Sequence, residues 1–308
     1  MISFAYREKR TVVHRLNPFC KLAWVGSVFA LALMLDNPVY LFLLFLSSLP
    51  LVTAAKVWRE WGSFMKFALF LCITIIVVNA LVSYNGTHVL AEAPFRIPVM
   101  GTPIITLEAI IYGAAMAIRL LAIVSAFAIL TLTTHPDDLM LSMIKLKLPY
   151  KSVLVTSLST RFVPTMVRDV ERIADVQRSR GLELDKGNLP RRIKARTSVL
   201  LPLLSNSLDR TVQIAEAMES RAFGSGSRRT FHKDLKMSGF DVATVILGLA
   251  PCAFGIFMLV RGYGDYEYYP TLGEMSLSGP EWATLLVLAL LLSSVVLLAF
   301  LKKKVDLD

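Results

Sequence analysis

Residues 104–131 read IITLEAIIYGAAMAIRLLAIVSAFAILT. That run exceeds the roughly 20 residues a helix needs to cross the hydrocarbon core of a bilayer. Five more apolar blocks accompany it, at 22–35, 39–55, 67–84, 240–260 and 282–301. Composition points the same way: 55% of the 308 residues are hydrophobic and 18% are charged, with mean hydropathy +0.59. Soluble chains run nearer to about 45–50% apolar and 25% charged. The chain therefore reads as all-α, a polytopic helical membrane protein. The blocks at 22–35 and 39–55 are short for independent spans. Asp36-Asn37-Pro38 turns the chain tightly between them, giving a short helical hairpin, with a re-entrant pair as the competing arrangement.

Six spans put both termini on one side, and the charges say which. Of 33 Lys and Arg residues, only Arg96 and Arg261 fall on the opposite side, and Arg119 lies within a span. Cytoplasmic loops carry such an excess, most reliably where loops are short. The bias survives when the long 135–237 stretch is left out. Both ends and the large loop are thus expected in the cytoplasm. The net charge of +10 needs no nucleic-acid partner. Topology and attraction to anionic lipid headgroups account for it, and no interleaving of basic and aromatic residues suggests stacked bases.

Most chemistries lack their residues. Cys20, Cys72 and Cys252 sit in or beside apolar blocks without pair spacing, so no disulfide or metal site follows. His14, His88, His135 and His232 are scattered singly, and no helix carries two at i and i+4, which leaves a zinc site unsupported. No small-residue cleavage site follows the basic N-terminal stretch, so the first block reads as a retained span and not as a signal peptide. A membrane-embedded enzyme would need clustered carboxylates, or His with Ser or Cys, at the membrane edge. Asp137-Asp138 is the one adjacent acidic pair, and its place at a helix start explains it. The chain holds no Gly-x-x-x-x-Gly-Lys-Ser/Thr phosphate loop, so it is no P-loop ATPase and would have to borrow one. No cofactor is expected on it.

Residues 135–237 form the one sizeable polar region. The organisation that follows is a membrane domain of four spans at 1–134, a cytosolic domain at 135–237 and a C-terminal membrane segment of two spans at 238–308. Thr134-His135-Pro136-Asp137-Asp138 reads as a helix start, with a Thr cap, an early Pro and acids at the positive dipole end. That helix ends near Leu148-Pro149. A second runs from Lys151 to about Arg180, where Val155, Leu158, Phe162, Met166, Val170 and Ile173 recur at three- or four-residue steps. Pro164 should kink it. After a polar connection at 182–189, a third helix runs from about Arg191 to Arg221. Leu200, Leu204, Leu208, Ala215 and Met218 lie along one of its faces, Pro202 is placed to bend it, and a Gly/Ser/Arg loop begins at Gly224.

The two long helices end alike. Residues 173–180 read Ile-Ala-Asp-Val-Gln-Arg-Ser-Arg and residues 214–221 read Ile-Ala-Glu-Ala-Met-Glu-Ser-Arg, 41 positions apart. Glycine soon follows each, at Gly181 and Gly224. One Arg in a last turn before glycine is ordinary capping. Capping does not call for Ile-Ala-acid upstream, so the doubled Ser-Arg points to two equivalent docking points for a two-part partner. The candidate residues are Ser179, Arg180, Gly181 and Ser220, Arg221, Ala222.

At these residues the chain resembles the transmembrane T component of energy-coupling factor (ECF) transporters, also called the cobalt-transport permease-like family. Leu16-Asn17-Pro18-Phe19-Cys20-Lys21-Leu22 is similar to the family's opening of the first span. Thr133-Thr134-His135-Pro136-Asp137-Asp138-Leu139 resembles its threonine-rich start of the cytosolic part. Gln177-Arg178-Ser179-Arg180-Gly181 and Ala217-Met218-Glu219-Ser220-Arg221-Ala222 resemble its two Ala-Arg-Gly signatures. Ser stands first in each triplet here, and Ala222 last in the second.

The resemblance implies a non-catalytic scaffold subunit of an ECF-type ABC importer. Its two cytosolic coupling helices would cross, and Arg180 and Arg221 would each enter a groove on one of two ABC-type ATPases, which use the ATP. A small membrane protein would capture the substrate: a vitamin, a vitamin precursor, or a nickel or cobalt ion. The implied location is the plasma (inner) membrane of a prokaryote, with both termini cytoplasmic. A conventional ABC importer permease is the alternative. Such chains usually carry one Glu-Ala-Ala-type docking loop, which Glu216-Ala217-Met218 matches only in part.

Arg119, a charge at mid-span, is a functional candidate by default. It is expected either to pair with a polar group in the bundle or a partner, or to act in the mechanism. Asp241 reads as a helix cap. The outer loops 85–103 and 261–281, with Asp265, Glu267, Glu274, Glu281, Tyr263, Tyr266, Tyr268 and Tyr269, name no substrate, because aromatic residues are common at interfaces.

Overall fold

The computed structural model describes residue 9 and residues 11–83, 86–92, 104–145, 149–182, 188–226, 238–273 and 279–305. Arg96, His232, Glu274 and residues 183–187 of the expected polar connection lie outside the described residues. In chain order the elements are α1 (Pro18–Met34), α2 (Pro38–Ala55), α3 (Trp58–Val82), β1 (Val89–Glu92), β2 (Ile104–Thr106), α4 (Leu107–Thr133), α5 (Pro136–Lys145), α6 (Tyr150–Ser179), α7 (Leu189–Ser220), α8 (Gly239–Val260) and α9 (Gly279–Val305). Two compact units result, one of Met1–Leu139 with Lys236–Asp308, the other of Met140–Leu235.

The first unit is built of helices, polytopic as the composition demands, with one small strand pair. Five helices (α2, α3, α4, α8 and α9) are long and apolar enough to cross a membrane, and α1, with 17 residues, is shorter. Helix α3 begins at Trp58, ahead of the apolar block at 67, because Arg59 and Lys66 are exposed on its surface. One addition to the sequence reading is a small antiparallel pair, β1–β2, which sets Val89 against Thr106 and Glu92 against Ile104.

Helix starts follow local chemistry. The Asn17 side chain accepts from the Phe19 N–H at 3.2 Å and Asn37 from Val39 N–H at 3.0 Å, each just ahead of a proline in the first turn. Ser238 and Asp241 form a capping box at the start of α8. Thr134 does not act as the expected cap of α5. It closes α4 instead, its N–H bonded to the Leu130 carbonyl at 3.0 Å, and its buried hydroxyl has no partner among the described residues.

Helix α4 is the hub of the first unit. Against α3 it runs antiparallel, with Gly113 so close that an added Cβ would stand 3.1 Å from Ile76 Cα, and with the Cys72 thiol 3.4 Å from the Ala117 carbonyl. Toward α2 the polar groups are closed in a chain. Trp61 Nε1 donates to Ser125 Oγ at 2.9 Å, Ser125 to Ser48 Oγ at 2.7 Å, and Ser48 to the Phe45 carbonyl at 2.7 Å. Each buried donor is thereby satisfied, as a medium without water requires.

Helices α1 and α8 pack in parallel. Cys20 Sγ donates to the Asp241 carbonyl at 3.5 Å and Ser27 Oγ to the Gly248 carbonyl at 2.6 Å. Small residues permit this approach, because association in a bilayer rests on close backbone packing and interhelical hydrogen bonds. A Cβ on Gly248 would already stand 3.3 Å from Ala23 Cβ.

Candidate partner-docking site

The second unit is built on α6 and α7. Asn188 precedes α7, and a proline occupies its first turn. Pro164 lies inside α6 and Pro202 inside α7. Hydroxyls on α6 satisfy themselves locally: Thr156, Ser159 and Thr160 each donate to the carbonyl four residues earlier, at 2.8 to 2.9 Å. The helices pack antiparallel. Gln177 Nε2 donates to the Ser198 carbonyl at 3.5 Å, whereas Asp169, earlier on α6, pairs with Arg210, later on α7, at 2.9 Å. Ala174 and Val199 form a small buried core with Ile173 and Leu182.

The two helix ends share one geometry, built on the last carbonyls that a helix leaves unpaired. At the end of α6 the Gly181 N–H bonds to the Arg178 carbonyl at 2.9 Å and the Leu182 N–H to Gln177 at 3.0 Å. At the end of α7 the Ala222 N–H bonds to Glu219 at 2.8 Å and the Phe223 N–H to Met218 at 2.9 Å. Both are Schellman stops. Arg180 and Arg221 are the cap residues, with φ,ψ of −82°, 6° and −90°, 12°. Gly181 (φ 85°) and Ala222 (φ 53°) follow in the left-handed region. The second stop thus falls on Ala222, two residues before the glycine that the sequence offers.

Ser179, Arg180, Gly181, Ser220, Arg221 and Ala222 are all exposed. Ser179 and Ser220 turn their hydroxyls back to the Asp175 and Ala217 carbonyls, at 3.0 and 3.1 Å. The neighbouring Arg178 pairs with Asp175 at 3.0 Å. Arg180 and Arg221 have no ion-pair partner among the described residues, and each stands exposed at the end of its helix.

The apolar stripes divide. Phe162 and Ile173 on α6 are half-buried, while Val155 and Val163 stay exposed. On α7 the half-buried face carries Leu203, Ser207, Arg210, Ile214 and Met218, with Arg210 meeting Asp169 of α6. The expected row Leu200, Leu204 and Leu208 remains 53%, 51% and 66% exposed. Those leucines lie one helical step off the inward face, so the pairing of α6 with α7 does not use them. They leave an apolar row on the surface of α7.

Arg119 is elsewhere, within the first unit. Its Nη2 donates to the Leu35 carbonyl at 3.0 Å and pairs with Asp36, and its Nη1 reaches Met116 Sδ at 3.4 Å. The arginine thus holds the turn between α1 and α2. Tyr268 donates to the Asp36 carbonyl at 2.6 Å, and the N–H groups of Asp36 and Asn37 donate to Gly264 at 3.0 and 2.9 Å. Burial pushes the Tyr268 phenol pKa up from its ordinary value, which keeps the hydroxyl a donor. Tyr112 stacks edge-on against Tyr268, centroids 5.3 Å apart. Sequence reasoning set Tyr268 aside as interfacial, and no short-range signal links it to Asp36. Among the described residues no group of three His, Cys, Asp or Glu side chains is placed to hold a metal ion.

Comparison with known proteins bears on most of the chain. The sequence model of the cobalt transport protein (CbiQ) family matches residues 9–232. The energy-coupling factor transporter transmembrane protein EcfT of Heliobacterium modesticaldum is 31% identical over 261 residues, covering 80% of this chain and 91% of that protein. The EcfT proteins of Staphylococcus aureus and Bacillus selenitireducens are each 30% identical, over 82% and 73% of this chain and 95% and 84% of their own lengths.

Proposed function

The chain belongs to the cobalt transport protein family, and on that premise we propose that it is the non-catalytic transmembrane scaffold of an energy-coupling factor importer. In this reading two cytosolic ABC-type ATPases bind it, one at Arg180 and one at Arg221. A separate small membrane protein captures the substrate, a vitamin, a vitamin precursor or a transition-metal ion. The membrane is the plasma membrane of a prokaryote, and the second unit is cytoplasmic.

One observation carries the reading: two exposed arginines, unpaired among the described residues, end two helices with the same backbone geometry, 41 residues apart. Arg suits the task because its planar fork of donors fits carboxylates and carbonyl groups and its charge is permanent. Closure of the ATPases on ATP would displace the helix tips. The exposed row of Leu200, Leu204 and Leu208 gives a surface through which α7 could pass that displacement to the capture subunit.

The test is co-purification. A truncated interface arginine loses about 2 kcal/mol or more, roughly 30-fold in affinity. Arg180→Glu combined with Arg221→Glu is expected to abolish recovery of both ATPases from detergent-solubilised membranes, with the scaffold still present at native level. Recovery of an intact complex from the double variant would end the docking reading.

A further inference from the structure

The 41-residue repeat reaches beyond the two tips. On α6, Phe162, Asp169, Ile173 and Gln177 turn away from solvent. Shifted by 41 they fall on Leu203, Arg210, Ile214 and Met218, which turn away from solvent on α7. At these four positions the two helices turn equivalent sides inward, although buried Ala174 on α6 corresponds to exposed Ala215 on α7, and they run in opposite directions. Two copies of one element packed through the same face in this way are related by a two-fold axis, as in an isologous dimer. A residue on such an axis meets its own counterpart. Arg210 is the counterpart of Asp169, and the two meet at 2.9 Å. The axis passes between these side chains.

A perfect repeat at that point would bring like charges together. The sequence inverts them instead: Arg168-Asp169 in α6 becomes Asp209-Arg210 in α7. Away from the axis, at Asp175 and Glu216 and at Arg180 and Arg221, the sign is kept. Inversion at the meeting point is what an attractive crossing of two like helices needs; the other inverted position, Arg178 against Glu219, is exposed on both helices and lies away from the contact.

We propose that the Asp169–Arg210 pair is the pin that sets the register of α6 against α7, and with it the span between Arg180 and Arg221. Each arginine stands the same distance beyond its member of the pair, about 16 Å at 1.5 Å per residue. They lie in opposite directions, so the tips are held up to about 33 Å apart from one central point. The side chains of Arg210 and Asp169 are 35% and 17% exposed, which sets the pair apart from the fully solvated kind that contributes little. A slip to the next register is one helical turn, about 5.4 Å. The register claim stands on the geometry of α6 and α7 alone; only what the tips grip rests on the proposed function.

The test uses the full chain in lipid nanodiscs, with Cys20, Cys72 and Cys252 replaced by alanine. Spin labels are placed at Val176→Cys and Ala217→Cys, exposed counterparts under the 41-residue shift. Pulsed electron spin resonance reads their separation. The native pair is expected to give one narrow distance. Asp169→Arg and Arg210→Asp should each broaden it or move its mean by about 5 Å, one turn. Together they re-form the pair in the opposite sense and should restore the narrow distance.

Asp169→Asn, which removes the charge with little change in size, should broaden the distance while helicity by circular dichroism is kept. It decides the matter if charge reversal unfolds the helices. Native distances in the reversed single variants, or no recovery in the double variant, overturn the pin. Recovery of ATPases from the same variants separates the two readings. Distances that follow the charges while ATPase capture never changes support the pin and refute docking at both tips. Capture lost with distances unchanged overturns the pin alone.

Discussion

Gly181 and Ala222 occupy the same place in two identical helix stops, yet only one of them is suited to it. A left-handed backbone disfavours a residue with a Cβ by about 1 kcal/mol or more. Nothing lies within 4 Å of a Cβ built on Gly181, so Gly181→Ala should act through the backbone alone and weaken the end of α6 by about 1 kcal/mol. Ala222→Gly should strengthen the end of α7 by a similar amount. Hydrogen exchange at the Leu182 and Phe223 amides, which close the two stops, reads both changes: faster at Leu182 in the first variant, slower at Phe223 in the second. The Ser-Arg endings were legible in the sequence because stop chemistry is local. The conformation of Ala222 was not, since Gly224 offered a more ordinary stop nearby. Arg119 was legible as a misplaced charge, but its partner Asp36 was not, because a turn 83 residues away carries no mark of what it will meet.

Single elements were read well where periodicity was strong and less well at their edges. The apolar blocks became helices. Helix α3 outran its block because exposed Arg59 and Lys66 interrupt the hydrophobic pattern without interrupting the helix. The Leu200, Leu204 and Leu208 row was seen as a face, but which face α7 turns to α6 depends on contacts that periodicity does not contain. Helices α1 and α8 give the sharpest expectation at this scale. Gly248 faces Ala23, the Trp24 N–H and the Cys20 carbonyl, all parts of a rigid helix. Gly255 faces the Cδ2 end of Leu31, a group that can rotate away. Overpacking a close helix contact costs about 1–3 kcal/mol. Gly248→Val should therefore lower the thermal midpoint of the detergent-solubilised protein clearly, and Gly255→Ala much less. Equal losses would mean that the α1–α8 seam is looser than its hydrogen bonds imply.

For the molecule as a whole, the bias of basic residues predicts which face meets which compartment. Glu267 and Ser205 are both exposed. In a cysteine-free background, Glu267→Cys should react with an impermeant maleimide on intact cells. Ser205→Cys should react only after the membrane is opened, and the opposite pattern would invert the orientation. Fold class was legible at this scale because a bilayer permits few architectures. The unit assembled from two stretches of chain was settled by contacts such as that of Ser27 with Gly248, 221 residues apart. That seam imposes a schedule on the ribosome. Synthesis proceeds at about 5–20 residues per second, so α1 must wait on the order of 10–40 seconds before α8 has been made. Throughout that interval the hydroxyl of Ser27 lacks its native acceptor, and the α6–α7 pair is finished first. The nascent protein must therefore be kept from pairing α1 wrongly, and a chain halted just before α8 would leave an open seam for quality control to find.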